Sequence, residues 1–259
     1  MQGELFMAKI VIDPGHGGSD PGSDYSGRRE KDDVLRLALE VGKRLEEQGH
    51  NISYTRVNDT AYTPFERSVM ANTAAADFFL SLHRNSVRNP NTVNGAEAYV
   101  YSDSGIRGDV ARTLLENLEK AGFENRGVLE RPNIAVLRKT DMPAVLLEVG
   151  FIDNEGDNRI FDENFDEIAK AIADALHQHA GRFPVMRPPL YRVQTGAFRN
   201  YENAAVMANR LQSEGYPAFV LYGDGIYRVQ VGAYEILDNA IRMEQRLRAD
   251  GYSTFIVTG

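Results

Sequence analysis

Three residues with metal-ligand chemistry and one carboxylate in an apolar setting stand out in this 259-residue chain. His16 lies in Asp13-Pro14-Gly15-His16-Gly17-Gly18, directly after the apolar run Ile10–Ile12. That run reads as a buried strand stopped by the Asp-Pro-Gly turn. A histidine at the C-terminal end of a strand, with glycine on both sides, leaves its ring open to the crevice where open α/β sheets bind ligands. A surface histidine in a glycine-rich turn is the plain alternative. His83 closes a second apolar run, Phe78–Leu82. Glu30 lies in Arg28-Arg29-Glu30-Lys31-Asp32-Asp33, ahead of an amphipathic segment. An acid there also simply favours a helix dipole, and Asp32 and Asp33 compete with it for any ligand role. Two neutral imidazoles and one carboxylate, leaving a fourth position open, form the donor set of a catalytic zinc. Glu148 interrupts Pro143–Phe151, otherwise apolar. A charge in such a strand is costly unless it is paired, for instance with an arginine, or functional. Beside a metal site it is the expected general base of a zinc hydrolase.

Together these four segments resemble the zinc-dependent N-acetylmuramoyl-L-alanine amidases of bacterial cell-wall hydrolysis. The pattern is D-P-G-H-G-G, then E-K-D opening a helix, S-L-H-x-N, and L-x-E-x-G-F, in that order over roughly residues 8–180. The resemblance implies one zinc ion per chain, held by His16, Glu30 and His83, with Glu148 as the catalytic carboxylate. It selects Glu30 over its acidic neighbours because the family's ligand immediately precedes Lys-Asp. It also implies the reaction: hydrolysis of the amide joining N-acetylmuramic acid to L-alanine of the stem peptide, Glu148 carrying the proton to the leaving amine. Ser86 and Asp153 depart from common family residues without touching a ligand position. Some relatives insert an inhibitory helix between the second histidine and the catalytic glutamate. The 65 residues from His83 to Glu148 are filled here by one strand, one helix, a loop (Asn125–Pro132) and two strands, so an uninhibited enzyme is expected.

Composition sets the outer bounds. There are no cysteines, which excludes disulfides, a thiolate zinc site and a cysteine nucleophile. A net charge of −8 argues against a nucleic-acid partner won by phosphate neutralisation. No run reaches a membrane span, and Met1–Ala8 lacks the features of a secretory signal. The expectation is synthesis in the cytoplasm and release to the wall by cell lysis or a phage holin. Those routes fit a sporulation (mother-cell lysis) enzyme and a phage endolysin respectively.

The elements that must position these groups follow from periodicity. Gly17–Gly27 reads as a flexible active-site loop. Helices are expected over Asp32–Gln48, Thr63–Ala76, Ile106–Gly122 and Phe165–His179, and strands over Asn51–Arg56, Gly95–Tyr101, Asn133–Leu137 and Ala144–Glu148. Strands alternating with helices predict an α/β domain, a mostly parallel mixed sheet with helices on both faces, at residues 8–181. Arg67 and Asn72 match positions that the resemblance places beside the cleft, but their helix reads as solvated there. His177 and His179, two apart on a helix, face different ways and cannot share a metal; they read as its solvated end.

Pro184, Pro188 and Pro189 mark a stiff linker at 182–189. Beyond it an internal repeat appears. Leu190–Phe198 and Ile226–Tyr234 agree at six of nine positions with an offset of 36 residues, and each copy leads through a helix and Gly-Tyr into another strand. Two such β-α-β halves predict a small ferredoxin-like α+β (βαββαβ) domain at 190–259. The repeated Y-x-V-Q-x-G-x-[FY] resembles the SPOR domain, a peptidoglycan-binding module. Strict alternation along the two repeat strands places Arg192, Gln194 and Phe198, with Arg228, Gln230 and Tyr234, on an open face. Gln194, Phe198, Gln230 and Tyr234 are therefore the candidate glycan-binding residues, with two-sided packing as the bland alternative. An RNA-binding sheet is disfavoured, since seven arginines there meet seven acids with no lysine. Peptidoglycan is the expected partner, with no nucleic acid and no membrane; oligomeric state is open. A zinc peptidase acting on stem peptides and a non-catalytic wall-binding protein remain the competing readings.

Overall fold

The computed structural model describes residues 7–185, 190–223 and 225–258. The chain divides into two compact units, Met1–Met186 and Arg187–Gly259. Half of the expected proline linker, including Pro188 and Pro189, lies outside the described residues.

In the first unit the chain runs β1 (Lys9–Pro14), a small hairpin of β2 (Asp24–Tyr25) and β3 (Arg28–Arg29), then α1 (Glu30–Glu47) and β4 (Asn51–Tyr54). There follow α2 (Pro64–Thr73), β5 (Phe78–Asn85), β6 (Ala96–Val100), α3 (Gly105–Lys120) and β7 (Asn125–Glu130). It ends with α4 (Ala135–Lys139), β8 (Ala144–Phe151), α5 (Glu155–Glu163) and α6 (Phe165–His179). Six strands form one sheet in the order β4-β1-β5-β8-β6-β7. Every neighbouring pair is parallel except β6 with β8.

Alternation in the central strands feeds two cores. Ile10, Ile12, Phe78, Leu80, Val145 and Leu147 pack on one face beneath α1, α3 and α6. Val11, Phe79, Ala144 and Leu146 pack on the other, with Ala71 of α2 and Val136 and Leu137 of α4. Strands apolar on both sides read as continuous runs, and these are the strands that carry the candidate site at their C-terminal ends. Helix α2 starts on a capping box: Thr63 accepts from the Glu66 N–H while Glu66 accepts from the Thr63 N–H.

Four local expectations are corrected. Gly17–Gly27 is not a loop without regular structure; it holds a Gly17–Asp20 bridge and β2 of the hairpin. Asn125–Pro132 is mostly the edge strand β7, whose half-exposed residues carry no burial pattern to read. Within Asn133–Leu137 the chain enters the short helix α4 instead of a strand; one turn is too short to show a period. His179 is buried and bonded to Thr113, and His177 pairs with His50, so the end of α6 is not simply solvated. Among the described residues, no helix is long and apolar enough to cross a membrane.

The second unit runs β9 (Tyr191–Phe198), α7 (Tyr201–Ser213), β10 (Ala218–Gly223), β11 (Ile226–Tyr234), α8 (Leu237–Ala249) and β12 (Phe255–Thr258). Its antiparallel sheet has the order β10-β11-β9-β12, the ferredoxin-like arrangement. Val193, Val229 and Val231 pack beneath Ala204, Ala208 and Leu211 of α7 and Ala240 and Leu247 of α8. The repeats clasp one another. Tyr216, after the first helix, donates to Asp250 at the end of the second. Tyr252, after the second, donates to Glu214 at the end of the first, at 2.6 Å. Arg246 lies over the Tyr216 ring and Arg210 over the Tyr252 ring.

Strict alternation fails in the repeat strands. Gly196 and Gly232 both have φ +90°, and the β9–β11 register slips alongside them. A glycine bulge resets the faces. Ala197 and Ala233 are therefore exposed, while Phe198 and Tyr234 turn inward onto the core. The expectation that Phe198 and Tyr234 lie on the open face is thus overturned. Gln194 and Gln230 do lie opposite the core valines, but they are buried, at 6% and 3% exposure.

Candidate active site

The turn after β1 is held by two buried arginines. Asp13, at the end of the strand, accepts from Thr55 Oγ1, Ser81 Oγ and Arg67 Nη1. Arg67 then reaches the carbonyls of Pro14 (2.7 Å) and His16 (2.5 Å). Arg56 donates to the carbonyls of Pro14, Gly15 and Lys31. Arg67 lies at the cleft, 4% exposed, where helix position had suggested a solvated residue. Asn72 also has a structural task, bonding Lys139 and Asp141 at the end of α4.

The glycines flanking His16 are required by space and by backbone. A Cβ on Gly15 would lie 2.3 Å from the His83 ring, and one on Gly17 2.2 Å from the Thr60 carbonyl. His16 itself takes φ +59°, a left-handed conformation uncommon for a residue with a side chain. Its Nδ1 meets Asp20 Oδ2 at 2.8 Å, which leaves Nε2 facing Glu30 at 3.1 Å. A carboxylate behind the outer ring nitrogen is how metal-binding histidines are usually oriented.

Glu30 is the first residue of α1 and is only 3% exposed. One oxygen accepts from the Arg84 N–H and faces His83 Nδ1 at 2.9 Å; the other accepts from the Ser23 N–H. The structure separates it from its acidic neighbours. Asp32 pairs with Arg29 at the surface, and Asp33 is taken by Arg28 and Arg84. Lys31 is buried, gripping the Gly18 carbonyl and Asp59. One ligand atom each from His16, Glu30 and His83 lies within 4.8 Å of the others, so these three could hold a metal ion. The donor set, two imidazoles and one carboxylate with no thiolate, fits zinc.

Glu148 on β8 stands in register beside His83 on β5. Its Oε2 is buried and finds no hydrogen-bond partner among the described residues. Desolvation pushes its pKa up to about 7, against the pull of His83. Glu97, which the sequence reading missed, pairs with Glu148 across β6 and β8 and adds to that rise. Glu97 is satisfied by Tyr99 (2.6 Å), Asn85 (3.1 Å) and Arg126 (2.9 Å). The signal that singled out Glu148, an acid in an apolar strand, was equally present at Glu97. Burial opposes charge on both imidazoles, but the Glu30 carboxylate prevails: His16 is raised and His83 is raised to about 9. Glu30, although buried, is held well below the usual range by bonds to both rings. A cleft of about 190 Å³ opens beside the two histidines, walled by Tyr62, Arg67, Ile134 and Val136.

Residues 10–178 match the family model described as N-acetylmuramoyl-L-alanine amidase, and residues 188–258 match the SPOR domain. The chain belongs to the N-acetylmuramoyl-L-alanine amidase family. It is 36% identical over 224 residues to the sporulation-specific N-acetylmuramoyl-L-alanine amidase of Bacillus subtilis, covering 84% of this chain and 86% of that protein. Its fold is similar to the crystal structure of an N-acetylmuramoyl-L-alanine amidase from Clostridium difficile 630, with TM-score 0.64 and 30% identity over 68% of this chain and 98% of that one. It is similar also to the catalytic domain of the amidase CwlV from Bacillus (Paenibacillus) polymyxa, with TM-score 0.62 and 33% identity over 68% of this chain and 99% of that one.

Arg67→Leu leaves the Asp13 carboxylate buried without its cation. The first unit should lose about 3–5 kcal/mol of stability, measured by denaturant unfolding; Asp13→Asn added to it should recover part of the loss.

Proposed function

We propose that this amidase is zinc-dependent, with His16, Glu30 and His83 as ligands and Glu148 as general base and acid. The observation that carries the reading is the convergence of His16 and His83 on Glu30, with Glu148 in register beside His83. Zinc bound there would supply a Lewis acid that polarises the lactyl carbonyl and makes water nucleophilic at neutral pH. Glu148, half-neutral near pH 7 before metal binds, takes the proton of the attacking water and delivers it to the departing nitrogen. The C–O bond forms first and the C–N bond of the amide then breaks as its nitrogen is protonated, leaving a lactyl carboxylate on the glycan and a free amino group on L-alanine. Asp20 fixes the His16 ring so that Nε2 faces inward. Among cellular settings, a sporulation role draws support from the Bacillus subtilis relative, which carries sporulation in its name and aligns over most of both chains.

The second unit is proposed to bind the glycan of peptidoglycan through the sheet face opposite its helices. In register across the four strands, that face carries Phe219, Gln230, Gln194 and Phe255 in one row. Gln230 Oε1 is buried with no partner among the described residues. Aromatic faces beside buried amides suit stacked sugar rings with their acetamido and hydroxyl groups. Phe219 and Phe255 replace Phe198 and Tyr234 as the aromatic members. Arg192 and Arg228, on the same face, are placed to take the carboxylates that amide hydrolysis leaves on the strand. The two units, joined near residues 182–189, would then divide anchoring from chemistry.

His83→Ala should lose most of its zinc by metal analysis, and full retention would remove it from the ligand set. Glu148→Gln should keep metal and fold while turnover falls by roughly 10²–10⁴-fold, the weight of a general acid/base. Mass analysis of wall digests by the parent enzyme should show free glycan and intact stems beginning at L-alanine; stems cut internally would point to a peptidase instead.

Metal uptake should also release protons. In the metal-free protein His83 holds its proton until pH rises through about 9, whereas ligation needs the neutral ring. Titration calorimetry at pH 7 in buffers of different ionisation enthalpy should show proton release that fades as pH passes 9.

Full-length Glu148→Gln should be retained on sacculi, more strongly after the stem peptides are stripped by an active amidase. Replacing Phe219 and Phe255 together with Ala should weaken that retention. Equal retention of the double variant would rule this face out as the anchor. Gln194 and Gln230 are poorer probes, since their burial would test folding as much as binding.

A further inference from the structure

The open face of the second unit repeats itself about a pseudo-two-fold axis perpendicular to the sheet. The 36-residue offset that relates the two halves relates Gln194 to Gln230 and Phe219 to Phe255. The two amides are direct cross-strand partners at the centre. Each is flanked on its outer side by the aromatic of the other half's register, Phe219 beside Gln230 and Phe255 beside Gln194. Both phenylalanines are 44% exposed.

The rows on either side obey the same operation. On one side Leu221 stands opposite Arg228, and Arg228 opposite Ala197. On the other, Val257 stands opposite Arg192, and Arg192 opposite Ala233. Rotation by half a turn exchanges these rows, with Leu221 against Val257 as the one change of residue type. Both bulges fall at equivalent glycines with the same φ of +90°, so the backbone follows the symmetry too. The central row spans three strand spacings, about 14 Å, enough for more than one sugar ring.

A glycan strand has a reducing and a non-reducing end and no two-fold axis of its own. We infer that this face accepts a glycan strand in both polarities, through two binding modes related by the pseudo-two-fold axis; the inference rests on the reading of the face as the glycan site. Turning the strand end for end exchanges Phe219 with Phe255, Arg192 with Arg228 and Gln194 with Gln230, so each sugar meets the same chemical groups. Within these three rows, only the Leu221–Val257 difference separates the two modes. One buried methylene is worth about fourfold in population, so both modes stay occupied. In a wall whose strands run in either sense relative to an arriving enzyme, the anchor would then engage whichever it meets.

The experiment uses the full chain labelled with fluorophenylalanine, the Phe219 and Phe255 fluorine signals being assigned with Phe219→Leu and Phe255→Leu. The probe is a peptide-free glycan oligomer just long enough to cover the central row, carrying a nitroxide at its reducing end. It offers the first unit no amide to cut. Both signals should broaden, to extents within about fourfold of one another, and reduction of the nitroxide should restore both. In parallel, Phe219→Ala and Phe255→Ala should weaken binding of the unlabelled oligomer equally, each by about tenfold, as for a modest anchor residue. Broadening confined to one of the two signals, or a loss confined to one variant, would overturn the two-polarity inference while leaving the glycan site in place. An oligomer that moves neither signal would remove the glycan site, and the inference with it.

Discussion

A buried ion pair, Asp13 with Arg67, is the constraint on which the first unit's site depends. To aim His16 into the crevice, the chain must leave β1 with successive carbonyl groups turned inward, where no strand or helix can satisfy them. Unpaired, each would carry a desolvation cost of order 1–3 kcal/mol. Arg67 and Arg56 meet the carbonyls of Pro14, Gly15 and His16 instead, and Asp13 balances the charge that this brings. Arg84 performs a similar service on the other side. It is 1% exposed, its backbone N–H holds Glu30, and its guanidinium joins Asp33 to the Val149 carbonyl. Arginine suits this work because it donates in a fixed fork and has no lone pair to compete for a metal.

What could be read from the sequence follows from the same division. Chemistry that requires particular residue types leaves a mark: histidines at strand ends, glycines beside them, and an acid at the start of a helix. The mark is sharp at Gly15, where any side chain would occupy the volume of the His83 ring. The scaffold beneath leaves little. Arg56 and Arg67 look like ordinary surface cations until the fold buries them, because an arginine's burial is decided by tertiary partners rather than by period. The same limit explains the misread elements: α4 is one turn long, and β7 is an edge strand with a half-exposed pattern.

In the second unit the sequence misled where it was most regular. The nine-residue repeat invites strict alternation, yet its glycine is where alternation stops. Since the bulge occurs in both copies, the error was made twice and in the same sense, moving Phe198 and Tyr234 to the wrong face and hiding Phe219 and Phe255. The latter pair lies outside the conspicuous repeat and is found only by carrying the 36-residue offset through the whole unit.

That offset governs the core as well as the face. Neither tyrosine after a helix finds its partner within its own half: Tyr216 reaches Asp250 and Tyr252 reaches Glu214, each under an arginine of the other helix. Half a unit would leave both hydroxyls and both acids without these bonds, and would expose the valines that the two helices cover jointly. The duplication is therefore an obligate pairing within one chain, comparable to a two-fold dimer whose subunits have been fused. An interface of that kind resists drift at its reciprocal contacts, because a change on one side breaks the match with the other. Holding the helices in two-fold register also holds β9 and β11 side by side at Gln194 and Gln230, the pair through which the axis passes. The two-fold backbone register of the exposed face is thus kept by packing on the hidden one.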